Sequence, residues 1–306
     1  MLNRETLQFR AELFHLVRSF FRQQWFVEVD TPIRQPVLLP ESNIEPIPAG
    51  SWFLQCSPEQ CMKRLLAAGS GNIFQICSCF RAKERGNRHL EEFTMLEWYR
   101  LDGDYVNVME DCQQLIRFVL DGFKDNIRYR AKIFRSCFGT MSLDLPWEML
   151  SVTDAFDRYA PISLDQALAN QQFDEIISVD IEPRLGLELP TFLYDYPSQH
   201  ASLARLKTED KNLAERVELY INGMELANGF SELTDVKEQQ DRFVEELAEI
   251  EQTRKTRERM PGKFLYELEQ LDKAAGIAFG LDRLLMLLMS AESIDEVVSF
   301  SIKDWD

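Results

Sequence analysis

The chain has 306 residues with a hydrophobic fraction of 45% and a charged fraction of 28%, values typical of a soluble globular protein with a sizeable core. Its formal net charge of −17 argues against nonspecific binding to nucleic acid, which depends on Lys and Arg side chains that neutralise phosphates. The six cysteines lack the spacing of a disulfide scaffold or a zinc site. The sequence contains neither a signal peptide nor an apolar run that could span a bilayer. We therefore expect a cytoplasmic protein that binds no membrane.

The amino-terminal third is predicted to combine helices with short strands. Ser57 is the expected N-cap of one helix, because serine accepts hydrogen bonds from free backbone amides, and Pro58 suits the first helical position. Periodicity and proline content predict, in chain order, a helix at Thr6–Gln24, a strand at Phe26–Val29, an irregular loop at 34–50, a strand at Trp52–Gln55, the helix from Ser57 to about Ala68, and strands at Ile73–Arg81 and Phe93–Arg100.

The rest of the chain supplies more helices and a second set of strands. The strands at 73–81 and 93–100 are expected to pair in antiparallel fashion. No repeat or linker divides the chain, so we predict a single domain over residues 1–306 of the α+β class, with a mostly antiparallel β-sheet flanked by helices. The remaining predicted elements are helices at about 104–121, 153–170 and 173–179, a strand at Thr191–Tyr196, a hairpin within Glu215–Asp235, a long helix at Val236–Arg259, a strand at Gly276–Gly280 and a helix at Leu281–Met289.

The hairpin segment, ERVELYINGMELANGFSELTD, carries the strongest chemical signal. Asn222-Gly223 between alternating runs predicts a two-residue turn. Glu218 then lies diagonal to Glu225 on one face, and two carboxylates held this close repel each other unless a cation lies between them. The expected pairs are Ile221 with Met224 and Tyr220 with Glu225.

Strict alternation along the second hairpin strand would separate its polar residues. Asn228, Phe230 and Glu232 would then point to the face opposite Glu225. If all of them belong to one pocket, a β-bulge must restore their facing, and we predict that bulge at Asn228-Gly229.

Several cations follow the predicted strand that ends at Arg81. The loop after it contains Lys83, Arg85, Arg88 and His89 among acidic residues. Cations on such a loop could grip a polyphosphate, for which arginine has the best geometry. An exposed loop whose charges are merely solvated is the alternative interpretation.

Two further positions suggest ligand contacts. Glu97 shares a strand face with Met95 and Tyr99. An acid beside a phenol is unsuited to a hydrophobic core but well suited to the wall of a site that binds an amine. The alternative interpretation is a glutamate at the edge of a sheet. Arg283 falls in the first turn of an apolar helix, where free backbone amides favour anions. A salt bridge to an acid such as Asp282 would explain that arginine equally well.

In chain order these segments resemble the signature motifs of class II aminoacyl-tRNA synthetases. Any one of the matches is weak, but together and in this order they extend over nearly the whole chain. Phe26–Pro32 resembles the first motif, a dimer-forming strand, Phe80-Arg81 through Phe93 resembles the second, and Gly280–Arg283 resembles the third. Within the class, the resemblance to lysyl-tRNA synthetases lies in Ser57-Pro58-Glu59, Phe93–Tyr99 and Glu225–Glu232.

Two features narrow the resemblance. The first catalytic helix begins within a few residues of Met1, so we expect no N-terminal barrel for anticodon binding, and Ala278 stands where lysyl-tRNA synthetases have glycine. Both features are similar to those of truncated lysyl-tRNA synthetase paralogs, a family that ligates (R)-β-lysine to elongation factor P. One added methyl discriminates by only roughly 1–3 kcal/mol, so Ala278 can tune a preference for a shifted amine without making it absolute.

The resemblance implies a function and a set of roles. It implies that ATP activates (R)-β-lysine or lysine, that elongation factor P and not tRNA is the acceptor, and that the enzyme is a homodimer using Mg²⁺. The implied catalytic residues are Arg81 and Arg283, which hold the α- and γ-phosphates. The implied ATP-binding residues are Arg81, Lys83, Glu84, His89, Phe93, Glu225, Leu226, Gly280 and Arg283, the magnesium ligands are Glu218 and Glu225, and the amino-acid pocket comprises Ser57, Pro58, Glu59, Glu97, Tyr99, Phe230, Glu232 and Ala278.

One position departs from the family pattern. The second motif usually has a glutamate two residues after its arginine, where it contacts the adenine amine, and here that position is Lys83, followed by Glu84. Backbone groups of Lys83 could read the adenine, Glu84 could shift into the role, or ATP could bind more weakly.

Two other functions stay open at this point. The same enzyme could pass the amino acid to tRNA or to another small molecule, or the chain could be a non-catalytic paralog that senses an amino acid or a nucleotide. Such regulators usually lack phosphate or metal ligands, whereas Arg81, Glu218, Glu225 and Arg283 are all present.

Overall fold

The computed structural model describes residues 1–254 and 258–305. The α-helices are α1 Arg4–Gln23, α2 Glu59–Ala67, α3 Tyr105–Asp125, α4 Arg130–Arg135, α5 Val152–Tyr159, α6 Leu164–Ala169, α7 Phe173–Ile176, α8 Val236–Arg254, α9 Gly262–Leu268 and α10 Leu281–Met289. The strands are β1 Val27–Glu28, β2 Arg34–Gln35, β3 Pro48–Ala49, β4 Trp52–Leu54, β5 Ile73–Phe80, β6 Glu92–Leu101, β7 Glu148–Ser151, β8 Thr191–Pro197, β9 Leu213–Ile221, β10 Met224–Ser231 and β11 Ala274–Gly280.

One large sheet organises the fold. Within the described residues, eight strands pair in the order β1-β5-β6-β11-β10-β9-β8-β7. The outer pairs β1–β5 and β7–β8 are parallel, and every pair between them is antiparallel. The predicted α+β class and the predicted antiparallel pairing of β5 with β6 are therefore confirmed.

The two faces of this sheet differ in chemistry. Alternation along β6 turns Leu96 and Trp98 toward one face, where they join a continuous apolar core with residues of α1, α3 and α10. Glu97 and Tyr99 consequently point to the opposite face. The second face is therefore free to carry polar side chains.

The β9–β10 hairpin has the predicted turn. Asn222 and Gly223 both adopt positive φ angles, 54° and 65°, as a type I′ turn requires. The predicted pairs of Ile221 with Met224 and of Tyr220 with Glu225 are confirmed.

The bulge of this hairpin lies elsewhere than predicted. The register shifts between Glu225 and Ala227, so the extra residue is Leu226 and not Asn228-Gly229. Gly229 stays in register, and it is small for a different reason, since a Cβ there would lie 2.6 Å from Cβ of Ile277. The bulge nevertheless has the predicted effect, because it puts Glu225 on the same face as Asn228.

Three other predictions need correction. The predicted helix 153–170 is two helices, because Pro161 forces Ala160 into an extended conformation (ψ 151°) and Ser163 caps a new start. The stretch 34–50 is not wholly irregular, since β2 and β3 both pair with β4 in a small sheet. The N-cap of α2 is Pro58 and not Ser57, although the Ser57 hydroxyl still accepts a hydrogen bond from the Glu59 amide.

The predicted long helix is confirmed from Val236 to Arg254, and the part predicted at 255–257 lies outside the described residues. The prediction is wrong for Glu258 and Arg259, which are described and are not helical. Helix α10 begins and ends at the predicted residues, with Arg283 in its first turn. In the part of the chain that the structure describes, no helix combines the length and apolarity needed to cross a membrane.

Gly229 gives a direct test of the packing between β10 and β11. We expect Gly229→Ala to lower the free energy of unfolding by about 1–3 kcal/mol, because the new methyl would overlap the Ile277 side chain and the Gly276 carbonyl. Gly262→Ala is the matched control, since nothing lies within 4 Å of its added Cβ. Urea unfolding of both variants measures the difference, and equal stabilities would contradict this packing.

Candidate active site

A cavity of about 610 Å³ opens over the polar face of the sheet. Its walls come from β6, β10 and β11, from the loop after β5, from the start of α2 and from the start of α10. Among its lining residues are Ser57, Glu59, Arg81, Lys83, Glu84, His89, Phe93, Glu225, Leu226, Phe230, Ala278, Gly280 and Arg283, all predicted as site residues from the sequence.

Five predicted site residues do not line this cavity. Glu97, Tyr99 and Glu232 lie behind its floor with 2% or less of their surface exposed, and Glu218 is similarly buried at 7%. Pro58 caps α2, and its carbonyl accepts hydrogen bonds from backbone amides in the first turn.

Strand pairing explains how residues from distant parts of the chain meet. Paired residues of antiparallel strands share a face. Glu97 pairs with Ala278, Ala278 with Asn228, and Asn228 with Glu218 in one row across four strands. The register of these strands thus positions the side chains along the floor of the site. The Glu97 end of the row lies near α2, and the Glu218 end lies at the β9–β10 hairpin.

Glu97 anchors the deeper, α2 end of the site. Its carboxylate accepts hydrogen bonds from the Ser57 hydroxyl at 2.8 Å and from the Tyr99 hydroxyl at 2.5 Å. Burial foremost, and then nearby Glu59, raise the pKa of Glu97 to about 8, although the two hydrogen bonds and Lys63 lower it. A positively charged ligand beside Glu97 would therefore favour the ionised form of this carboxyl.

Lys63 is a part of this end that the sequence reasoning missed. Its Nζ lies 2.6 Å from Oε1 of Glu59 and directly contacts Oε2 of Glu232, with no exposed side-chain surface. Burial lowers the pKa of Lys63, but Glu232 and Glu59 together raise that pKa above its ordinary value, so the ammonium stays charged. The available signal was its position: a lysine four residues after Glu59, between the apolar residues of α2.

Burial also raises the pKa of the partner carboxyl, Glu232. That pKa is about 8, although Lys63 lowers it. Glu232 follows β10, and its amide donates to the carbonyl of Ala274 in β11, so the backbone position is fixed by the sheet.

Arg81 and Phe93 form the shallower part of the cavity beside the charged loop. The Arg81 guanidinium lies 5.3 Å from the centre of the Phe93 ring, within cation–π range. Its Nε is buried and has no hydrogen-bond partner among residues 1–254 and 258–305. A buried donor without a partner is uncommon and indicates a site for an acceptor.

Arg283 reaches into the same region from α10. Its Nη1 donates to the backbone carbonyl of Glu225 at 2.8 Å and to the Glu225 carboxylate at 3.1 Å, and Nη2 lies 2.6 Å from Nε2 of His89. Burial and the nearby arginines lower the pKa of His89 to about 4, so its neutral ring accepts this hydrogen bond. Asp282 contacts Arg10 and the Thr94 amide, not Arg283.

Glu218 and Glu225 lie on one face of the hairpin, as predicted. Glu218 accepts hydrogen bonds from Arg216 at 2.7 Å and from Tyr220 at 2.6 Å. Burial raises the pKa of Glu225, and Glu218 raises it further. Arg216 was also missed from the sequence.

Glu218, Glu225 and Asn228 could offer a magnesium ion a few oxygen ligands, but not a complete coordination shell. The described residues contain no cluster of three or more His, Cys, Asp or Glu side chains that could hold a metal ion. Magnesium nevertheless prefers oxygen donors of this type. Two carboxylates lie on one face, and the Oδ1 atom of Asn228, beside Glu218, is buried and has no hydrogen-bond partner among the described residues.

Lys83 and Glu84 occupy different environments. The Lys83 side chain is 78% exposed and pairs with Glu45 at 2.8 Å, and its amide donates to the Glu91 carboxylate at 2.7 Å. Glu84 faces the cavity near Arg81: burial lowers the pKa of that arginine, and Glu84 is foremost among the groups that raise it. The amide of Lys83 is therefore already used, whereas Glu84 is available to a ligand.

The polar face of this mixed sheet, Arg81 directly after β5 and Arg283 in the first turn of α10 occupy the places expected from the resemblance to class II synthetases. The family model for class II tRNA synthetases (D, K and N) matches residues 2–304, and the chain belongs to this family.

Individual relatives give a finer comparison. A protein from Mannheimia succiniciproducens is 37% identical over 315 residues, which cover 98% of this chain and 96% of the relative. Proteins from Histophilus somni (strain 2336) and Salmonella typhi are 35% and 36% identical, covering 97% and 96% of this chain and 95% and 94% of their own lengths. All three are named elongation factor P--(R)-beta-lysine ligase.

The deep carboxyls predict a pH dependence for cationic ligands. Glu97 and Glu232 each have a pKa of about 8, so both are largely protonated at pH 6 and must ionise to hold an ammonium group. Their raised pKa means that affinity is gained as the pH rises through 8 and lost as it falls. We expect lysine to bind roughly 10–100-fold more tightly at pH 8 than at pH 6, measured by calorimetry.

Glu97→Gln is the control for this pH effect. Because the amide does not titrate, the variant should bind lysine more weakly at pH 8 and show a shallower pH dependence. An affinity for lysine that is flat between pH 6 and 8 in the unmodified protein would contradict the assignment.

Proposed function

We propose that this protein is an ATP-dependent ligase that activates (R)-β-lysine, or lysine, as an aminoacyl-adenylate and transfers it to the ε-amine of a lysine on elongation factor P. One observation carries the proposal: the Glu59 carboxylate and the arginines Arg81 and Arg283 line one cavity. Lys63 joins Glu59 to the buried Glu232 behind the floor of that cavity. Membership of a class II synthetase family supports adenylate formation, and the names of the relatives support this amino acid and acceptor.

In the first step, a carboxylate oxygen of the amino acid attacks the α-phosphorus of ATP, and pyrophosphate leaves as the bond to its bridging oxygen breaks. Arg81, with its unpartnered Nε, would neutralise the α-phosphate. Arg283 would hold the γ-phosphate beside neutral His89. The protein contributes alignment and charge neutralisation.

In the second step, the neutral ε-amine of the acceptor lysine attacks the carbonyl carbon of the adenylate. An amide bond forms, AMP leaves, and the amine loses a proton. The deep carboxylates would hold the ammonium groups of the amino acid during both steps, with Ala278 as the floor beneath it. Pairing of Ala278 with Glu97 supports this arrangement.

Magnesium is part of the proposal. Glu218 and Glu225 would hold the ion, and the unpartnered oxygen of Asn228 supports an oxygen donor set. When bound, the ion supplies positive charge that offsets the charge of the triphosphate. Phe93 would stack on the adenine ring, and its position beside Arg81 supports that role.

Three further features belong to the same proposal. A homodimer is supported by the exposed apolar side chains Trp25, Val27 and Ile33, which lie in or directly beside the segment resembling the dimer-forming motif. A cytoplasmic location is supported by six cysteines that form no disulfide in the described residues. A single catalytic domain is supported by the match of one family over residues 2–304.

The test is ATP–pyrophosphate exchange followed by transfer. We expect (R)-β-lysine to stimulate exchange better than lysine, and labelled amino acid to appear on elongation factor P and not on tRNA. Arg81→Ala should lower exchange on the order of 100-fold or more, because a preorganised charge at the transition state is lost. A surface arginine, Arg158→Ala, is the control, since its pair with Glu148 is exposed.

The other outcomes separate the alternatives. Label on tRNA or on a small molecule would keep the adenylate chemistry and change the acceptor. Nucleotide binding without exchange for either amino acid would overturn the proposal in favour of a regulatory protein. A flat response of exchange to both amino acids would also overturn it.

The adenine contact can be tested at two adjacent positions. Glu84→Gln should weaken ATP binding roughly 10-fold, because a charge-assisted hydrogen bond is lost. Lys83→Gln is the matched control and should change ATP binding little, since its side chain points to Glu45. Equal losses in the two variants, measured by calorimetry with a non-hydrolysable ATP analogue, would contradict the role of Glu84.

A further inference from the structure

The deep end of the site contains a cation of its own. Lys63 extends from α2 between Glu59 and Glu232, and its side chain has no exposed surface. The ammonium also lies 5.6 Å from the centre of the Phe230 ring, which lines the cavity. A buried lysine is rare unless paired, and this one is paired with two acids that are expected to face the substrate.

The pairing leaves a carboxylate oxygen available. Oε1 of Glu232 is buried and has no hydrogen-bond partner in the described ranges. A Cβ on Gly276 would lie 2.6 Å from this oxygen and 2.2 Å from the Tyr99 ring. The oxygen therefore lies over Gly276 beside Tyr99, on the polar face of the sheet, where a ligand could supply the donor that the described residues do not.

The charges of this end match a specific type of ligand. Glu59, Glu97 and Glu232 are three acids, and the Lys63 ammonium offsets one of their charges. Two negative charges remain when all three acids are ionised. An amino acid with two ammonium groups brings two positive charges, whereas a monoamino acid brings one.

We propose that Lys63 is a positioning residue that holds Glu59 and Glu232 in place and sets the charge of the pocket to match a diamino acid. The inference rests on the proposed function, in which lysine or (R)-β-lysine is the substrate. Without Lys63 the three carboxylates would repel one another, and a neutralised or displaced carboxyl would hold the ligand poorly.

The test compares Lys63→Met and Lys63→Arg by calorimetry with lysine, with (R)-β-lysine and with a non-hydrolysable ATP analogue. We expect Lys63→Met to weaken binding of both diamino acids roughly 30-fold or more and to change binding of the ATP analogue less than about threefold. Lys63→Arg keeps the charge and should recover part of the loss. Lys237→Met is the control, because Lys237 forms a similar pair with Asp241 four residues later, but is exposed.

A second measurement does not depend on how the variants fold. In the unmodified protein at pH 7, calorimetry in buffers of different ionisation enthalpy counts the protons released on binding. Norleucine lacks the second ammonium group, so its complex should keep about one more proton than the lysine complex. Equal proton release for the two ligands would overturn the charge matching.

The remaining outcomes are distinct. Equal affinity of Lys63→Met and unmodified protein for lysine overturns the role of Lys63 and leaves the proposed function standing. Equal losses for lysine and for the ATP analogue, without recovery in Lys63→Arg, overturn it in favour of a general structural role. If the unmodified protein binds neither diamino acid, the proposed function itself fails and this inference fails with it.

Discussion

Repulsion between buried carboxylates is the constraint on which the site depends. Burial raises the pKa of Glu97, Glu225 and Glu232, and a neighbouring glutamate raises each pKa further. A buried ion pair is weak evidence for stability, because desolvation offsets most of the attraction. The glutamates on the polar face are therefore costly to the fold, and a ligand with complementary charge gives a physical reason for their arrangement.

The two ends of the cavity meet this constraint differently. At the deep end the compensating cation comes from the same helix as one of the acids, since Lys63 follows Glu59 by one helical turn. At the shallow end it comes from a distant element, since Arg283 of α10 reaches Glu225 of β10. At the deep end, sheet register positions Glu97. The shallow end depends on a contact between an exposed loop and the start of α10.

Local rules predicted much of the fold. The turn at Asn222-Gly223 needs positive φ angles, which few residue types adopt, so these two residues were enough to predict the pairing of the hairpin. The apolar helix α10 is marked by its continuous composition. The split of the predicted helix 153–170 was not predicted, although the sequence contains the signal for it, because Pro161 disfavours a helical conformation in the residue before it.

The rest depended on contacts between distant segments. The bulge position was missed because Gly229 is small to pack against Ile277, and no local pattern reveals that neighbour. Lys63 was missed because one lysine on a helix usually reaches solvent, and its partner Glu232 is far along the chain. The roles of the individual site residues remain predictions, since register can bring side chains together without defining what they bind.

The single extra residue at Leu226 has a consequence for how this hairpin can vary. Because side chains alternate with a period of two, one residue inserted or deleted between Glu225 and Asn228 would invert the facing of everything on one side of it. An insertion or deletion in this strand would therefore be tolerated only if it changed the length by two residues. Any transplant of the motif to another scaffold must carry its irregular step along with its acids.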